Sequence, residues 1–373
     1  MSEGAPLDVA LEGSHGLDTR SAVDLLVGAV ARSSPSGAEA DVAAFLADAL
    51  DPWAERATVD AAGNAVAWFG AGPRRVVLLG HVDTAPGWWP VRREGAVLHG
   101  RGSVDAKGSL VAMACAAARL PEQVRERLTV QVIGAVEEEA ATSKGARFAL
   151  EAYPRPDLVI VGEPSGWDAY TLGYKGRVVV DVHVERPEGH SAGASASAAA
   201  LAARAWHTLE AWADRVSQRA TGAFDAVQAA LLAIESSTDG LTQRAVARVG
   251  LRLPTGRTPG DVASEVAHLL APLAAQGVRL TFTGGEGAYR APRDGPLQRA
   301  FRTAIRAEGG TPRALLKTGT SDMNVVAPVW DVPMLAYGPG DAALDHTPEE
   351  RLDLVEYVRA IRVLERVLHR LAV

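Results

Sequence analysis

Between Arg74 and Glu163 the chain alternates short runs of β-branched and aliphatic residues with longer segments of helical period, the pattern of a parallel α/β sheet. RRVVLLG at 74–80 predicts a buried strand, KGSLVAMACAAARL at 107–120 a helix, and LTVQVIGAV at 128–136 a strand. SKGARFALEAY at 143–153 predicts a second helix and DLVIVG at 157–162 a third strand, completing a doubly wound unit. From about Lys175 to Glu286 the texture changes. The strand RVVVDVHVE, an Ala-rich helix from Ser195 to about Asp214, the strand ARVGLRL (247–253), a helix after Asp261 and the strand VRLTFTG (278–284) describe a small α+β insert. An amphipathic helix over Gly295–Glu308 and a strand-like piece at Met334–Tyr337 return the chain to the first domain. The expected division is 1–174 with 288–373 for that domain and 175–287 for the insert.

A length of 373 residues agrees with two domains, and 47% hydrophobic with 22% charged residues is the balance of a chain that folds. The formal net charge of -7, with Arg scattered rather than clustered, excludes the electrostatics of a nucleic-acid binder. No stretch reaches the roughly 18 apolar residues of a membrane span, and the N-terminus lacks the basic start and apolar run of a leader. The single cysteine, Cys115, sits in an apolar run and reads as a small buried residue. Together these give the expectation of a cytoplasmic protein with neither membrane nor nucleic-acid partners.

The chemistry is concentrated where predicted strands end. Strand 74–80 runs into Gly80-His81-Val82-Asp83-Thr84, strand 128–136 into Glu137-Glu138-Glu139, and strand 157–162 into Glu163-Pro164. In an open α/β sheet, ligands bind outside the carboxyl ends of the strands, so these clusters can converge although they are far apart in sequence. Asp105, in the Gly-rich loop HGRGSVDAKG, adds a carboxylate, and His346 precedes Thr347-Pro348-Glu349-Glu350, which reads as a capped helix start. Taken singly each has a bland reading: a satisfied strand-end histidine, a solvated Glu run, a proline turn. Jointly, carboxylates crowded beside imidazoles repel unless a cation compensates them, and that ligand set suits zinc, manganese or cobalt.

GHVDT (80–84), GRGSVDAKG (100–108), EEE (137–139), GEPS (162–165) and the late His346 resemble, in order and over nearly the whole chain, the dinuclear zinc aminoacylase/carboxypeptidase family. This is the family of acetylornithine deacetylase and succinyl-diaminopimelate desuccinylase. The resemblance implies a zinc-peptidase-like catalytic domain with an inserted lid/dimerisation domain, a homodimer through that lid, and two Zn2+ per subunit, for which Co2+ can substitute. By position it makes Asp105 the bridging ligand, with His81 and Glu163 completing one site and Glu139 and His346 the other. Asp83 then orients His81. The family's Asp-Glu-Glu is here Glu-Glu-Glu, so Glu138 falls on the general base and Glu139 on the ligand. A register with Glu137 as base and Glu138 as ligand stays open. In the implied reaction two metals share and acidify a water and polarise the amide carbonyl, while the Glu takes the water proton and delivers it to the leaving amine.

In the insert, Gly189-His190-Ser191-Ala192 resembles the family's lid histidine, which stabilises the oxyanion in the partner subunit's site, although the usual following proline is missing. Arg252 resembles the lid arginine that holds the substrate carboxylate, with an exposed strand arginine as the bland alternative. Thr320 and Ser321, in KTGTSDMN, resemble a substrate-facing loop. His183, His207, His268 and His369 read as structural, His15 lies in a loop, and the role of His99 stays open. Within the family, GEPSGWDAYTLGYKGR, the EEEAATSKGAR run and KTGTSDMN are most similar to hydrolases that release lysine or ornithine from the C-terminal glutamate of a small acidic amino-group carrier protein of the LysW type. Acetylornithine deacetylase or another N-acyl amino-acid hydrolase is the alternative. A di- or aminopeptidase, or a non-catalytic binding module, is more distant.

Overall fold

The structure, a computed structural model, describes residues 17–190 and 195–373, which fall into two compact units. The first comprises residues up to Gly173 together with Ala291–Leu315 and Ser321–Val373, and the second Tyr174–Arg290 with Leu316–Thr320.

In the first unit the sheet strands are β1 (Arg56–Val59), β2 (Ala65–Phe69), β3 (Arg74–His81), β4 (Leu128–Ala135), β5 (Leu158–Val161) and β6 (Ala169–Tyr174). In the second they are β7 (Gly176–Pro187), β8 (Gln228–Thr238), β9 (Thr242–Leu253) and β10 (Val278–Glu286), and the chain returns to the first sheet as β11 (Met334–Ala336). That sheet runs β1-β2-β4-β3-β5-β11-β6. Its centre, β4-β3-β5-β11, is parallel and its flanks are antiparallel. The four residues Val76–Leu79 at the middle of β3 are buried, which is why the segment is a continuous apolar run without alternation.

The helix Lys107–Ala118 is buried on every side, its partners being the sheet, the helix Thr19–Val30 and the C-terminal helix Leu354–Leu371. A side chain at Gly80 would put its Cβ 3.0 Å from that of Leu110, so this glycine lets the helix lie close on the strand that carries His81. Two N-terminal helices, Thr19–Val30 and Ala40–Leu50, and the β1–β2 hairpin precede the segment from which the sequence pattern is read.

Residues 347–350 are not a helix start. Thr347–Glu349 turn, Arg351–Asp353 pairs antiparallel with Val97–His99, and the last helix begins at Leu354, capped by Asp353, which accepts the Val355 N–H at 2.7 Å. The reason is Glu350, whose buried carboxylate is committed to the backbone of the Asp105 loop.

In the second unit the strand order is β8-β9-β7-β10, all antiparallel. Val178, Val180, Val182 and Val184 of β7 share one core with Leu201, Leu209 and Trp212 of helix Ala198–Ser217 and with Val262 and Val266 of helix Pro259–Ala274. β8 is the strand absent from the sequence expectation. It is an edge strand, exposed over most of its length, and lacks the alternation a half-buried strand carries. Among the described residues no helix is long and apolar enough to cross a membrane.

Candidate metal centre

After β3 the chain builds β4 on one side of it and β5 on the other, so the carboxyl ends of these three strands are neighbours at the point where the strand order reverses. His81 closes β3, Glu137–Glu139 follow β4 and Glu163 follows β5.

His81 is buried, its Nδ1 2.9 Å from the Asp83 carbonyl oxygen and 3.4 Å from Asp83 Oδ1. This turns Nε2 toward Asp105, whose Oδ1 is 3.5 Å away. Asp105 Oδ2 lies 3.0 Å from His346 Nε2, which lies 2.9 Å from Glu139 Oε1. One ligand atom each from Asp105, Glu139 and His346 falls within 4.8 Å of the others. His81 Nε2 and Glu139 Oε1 are buried, the first 3.5 Å from Asp105 Oδ1 and the second 2.9 Å from His346 Nε2. Carboxylate and imidazole atoms that converge this closely fit a divalent cation of the zinc or cobalt type. His346 holds a left-handed backbone (φ 62°), as does Glu137 (φ 58°), conformations that non-glycine residues adopt where surrounding contacts impose them.

The charges follow the geometry. Burial alone would lower the His81 pKa, but its contacts with Asp105 and Asp83 raise it well above the ordinary imidazole value. Hydrogen bonds to Asp105 and Glu139 raise His346 to about 10. Glu138 is raised well above the ordinary carboxylate value by burial and by the charges of Glu163, Asp322 and Glu139, against the pull of His81. Glu163 is buried and near enough for its charge to act on Glu138. Glu137 spends its carboxylate elsewhere: Oε2 accepts the Thr142 hydroxyl at 2.7 Å and Oε1 lies 3.6 Å from Lys144 Nζ.

Ser321 is buried at the start of helix Asp322–Trp330, where its hydroxyl accepts the Met323 N–H at 3.2 Å as a helix cap. In the second unit Arg252 Nη1 donates to Thr320 Oγ1, and the Thr320 hydroxyl donates to the Lys175 carbonyl at 3.3 Å. His190 is exposed just beyond β7. Residues Ser191 and Ala192 of its motif, and His15, lie outside the described residues. His99 ends a short strand with Nε2 3.6 Å from Glu94 Oε2, His183 contacts Thr281 and His207 contacts Glu210.

Sequence reasoning misses a supporting layer. Ser36 donates to Asp83 Oδ2 at 2.8 Å, and Glu39 Oε1 accepts the N–H groups of Gly37 and Glu137 at 2.8 and 3.1 Å. Asp322 is buried and acts on Glu138, and Arg101 and Glu350 flank the ligand loops. The polar run Ser33-Ser34-Pro35-Ser36-Gly37 between two helical patterns is the one local signal that marks part of this layer.

A doubly wound sheet that gathers carboxylates and imidazoles at its reversal point, with a glutamate of raised pKa beside them, defines a metal-dependent hydrolase. The chain belongs to peptidase family M20/M25/M40, which it matches over residues 77–370. It is 52% identical over 358 residues to the LysW-lysine hydrolase of Deinococcus radiodurans, spanning 95% of this chain and 98% of that protein. The LysW-lysine/LysW-ornithine hydrolase of Saccharolobus islandicus is 26% identical over 285 residues, 76% of this chain and 78% of that protein. Among solved structures, the M20 family metallo-carboxypeptidase of Sulfolobus solfataricus is similar with a TM-score of 0.79 at 17% identity, over 94% of this chain and 99% of that one. Human carnosine dipeptidase 1 gives 0.74 at 17% identity, over 95% and 96%. At such identities the structural likeness speaks of the fold alone.

Proposed function

We propose that the enzyme releases lysine, and ornithine where offered, from the C-terminal glutamate of a small acidic amino-group carrier protein by hydrolysing the amide between them. The observation that carries this reading is the 52% identity, over 98% of its length, to a LysW-lysine hydrolase.

In the proposed centre Asp105 would be shared by two ions, His81 and Glu163 would help hold one, and Glu139 and His346 the other. Two zinc ions, replaceable by cobalt, supply polarisation of the amide carbonyl and acidification of water when bound. Asp83 orients His81 through its ring nitrogen. Glu138 accepts the water proton and returns it to the departing α-amine, a double task suited to a carboxylate whose burial and like-charged neighbours raise its pKa. Arg252, positioned through Thr320, is assigned to the α-carboxylate of the released amino acid, His190 to the oxyanion, and the Ser321 loop to the amino-acid side. The compartment proposed is the cytoplasm.

Two surface features support a protein substrate and a dimer. Trp88 is 49% exposed on a loop whose Pro86 and Gly87 carbonyls are bonded by the guanidinium that also bonds the His346 carbonyl, which puts an indole on the rim of the centre. Tryptophan in such a setting is a strong anchor for a polypeptide partner. The edge strand β8 presents Leu232 and Ile234, 57% and 46% exposed, and its outer edge, without a neighbouring strand among the described residues, is one that a second copy would cover.

The deciding experiment offers purified zinc- or cobalt-loaded enzyme lysine-charged carrier protein beside acetylornithine. Rapid lysine release with slow deacetylation is expected. Equal turnover of acetylornithine with intact charged carrier would remove the carrier reading and leave a small-molecule deacylase. Removal of metal by a chelator is expected to abolish both activities and readdition to restore them.

A further inference from the structure

Asp105 and His346 come from opposite halves of the chain, and each sits in irregular backbone. Two side chains outside the proposed ligand set bind both loops. Glu350 Oε1 accepts the backbone N–H groups of Val104 and Asp105 at 2.9 and 3.1 Å, while its Oε2 takes Arg101 Nη1 at 2.8 Å. Arg101 in turn donates from Nη2 to the His346 carbonyl at 3.3 Å and from Nη1 to that of Thr347 at 3.3 Å. Its remaining donors reach the carbonyls of Pro86 (3.3 Å) and Gly87 (3.2 Å), in the loop that follows His81 and Asp83. The guanidinium lies 5.1 Å from the centroid of the Trp89 ring. Both side chains are shielded, Arg101 at 7% and Glu350 at 0% exposure.

A buried ion pair is poor evidence of a stabilising device, because well-packed apolar residues can replace one without loss. What distinguishes this pair is where its other donors and acceptors go. Apart from the bond between them, every bond made by the two side chains ends on the backbone of a segment bearing or adjoining a proposed ligand. Apolar side chains of equal volume would fill the space and hold none of those segments. Something must hold them, since they come from distant parts of the chain and His346 has a backbone conformation it would not choose unaided.

We infer that the Arg101–Glu350 pair is a positioning device that fixes Asp105 and His346 at the separation a metal ion needs, before the ion binds. The inference rests on the proposed metal centre. Its consequence is that the pair governs metal affinity and coordination geometry without touching ion or substrate.

The test compares wild type with Arg101→Lys, Glu350→Gln and the double variant. Zinc affinity is measured by competition with a chromogenic chelator, and the visible spectrum of the cobalt-loaded protein reports coordination. Lysine cannot span the carbonyls that the guanidinium reaches, and glutamine presents an amide donor where Arg101 needs an acceptor. Each single variant is expected to bind the more weakly held ion roughly 10- to 100-fold less tightly, the range usual for partners of ligating groups. Each should also shift the cobalt absorption bands. The double variant should lose no more than the worse single, because the two residues act as one unit. Variants that fold cooperatively and match wild type in affinity and cobalt spectrum would overturn the inference. So would loss of the cooperative fold in both single variants, which would make the pair a general structural element. A wild-type protein that binds no zinc would instead sink the metal reading beneath it.

Discussion

Asp83 and Glu139 are joined through backbone: Asp83 Oδ2 accepts the Glu139 N–H at 2.9 Å, while Oδ1 accepts that of Glu138 at 3.0 Å. The carboxylate that sets the His81 ring therefore also sets the turn carrying the proposed base and the next proposed ligand. Asp83→Asn replaces one acceptor oxygen by a donor facing an N–H group. The expected result is a loss of metal affinity of roughly 10- to 100-fold, read by chelator competition, with lysine release falling alongside. Unchanged affinity would detach Asp83 from the centre.

Glu138 and Glu137 separate cleanly by environment. The first lies among like charges that help raise its pKa, while the second is tied to Thr142 and Lys144. Glu138→Gln is expected to keep its metal content and lose about 10²- to 10⁴-fold in kcat, the usual contribution of a general base. Glu137→Gln should remain near wild type. The reverse outcome would move the base by one residue.

For Trp88, truncation to alanine should raise KM for the charged carrier by roughly 5- to 30-fold, on the order of 1–2 kcal/mol, if the indole is an anchor for the polypeptide. The kcat, and both constants for a small N-acyl amino acid, should stay near wild type. An equal effect on both substrates would assign Trp88 to the centre itself.

The second unit contains its own titration. Lys175 is buried, with Nζ donating to the carbonyls of Ala223 (2.9 Å) and Ala226 (2.5 Å) and to Gln228 Oε1 (2.9 Å). Burial, with the nearby Arg252 charge, pushes its pKa down to about 8 from the ordinary 10.5. The unfolded chain then holds more protons than the folded one between those values, so the contribution of Lys175 to stability rises with pH through that window and is flat below it. The difference in melting temperature between wild type and Lys175→Met, measured across the window, should move in favour of wild type as pH rises. A pH-independent difference would mean that Lys175 keeps an ordinary pKa.

Much of this was legible in the chain. The aliphatic runs at 74–80, 128–136 and 157–162 mark strands β3, β4 and β5, because a strand buried on both faces needs no alternation and is read directly from composition. Once these runs are parallel strands, His81, Glu137–Glu139 and Glu163 must all leave from carboxyl ends, and the polar clusters become neighbours in outline. The edge strand β8 was not legible, since exposure removes the pattern that reading relies on.

The strand order that seats β3 between β4 and β5 came only with the folded chain, as did the turn at 347–350, which local capping signals misdescribe. The reason is the reach of the contacts. Capping and periodicity act within a few residues, whereas Glu350 is held by Val104 and Arg101, 246 and 249 positions away, and those bonds override the local preference. The sequence by itself determined which residues are candidates for the chemistry and on which elements they stand. The tertiary structure alone decided which of them meet and what holds them there, because that depends on backbone brought together from distant parts of the chain.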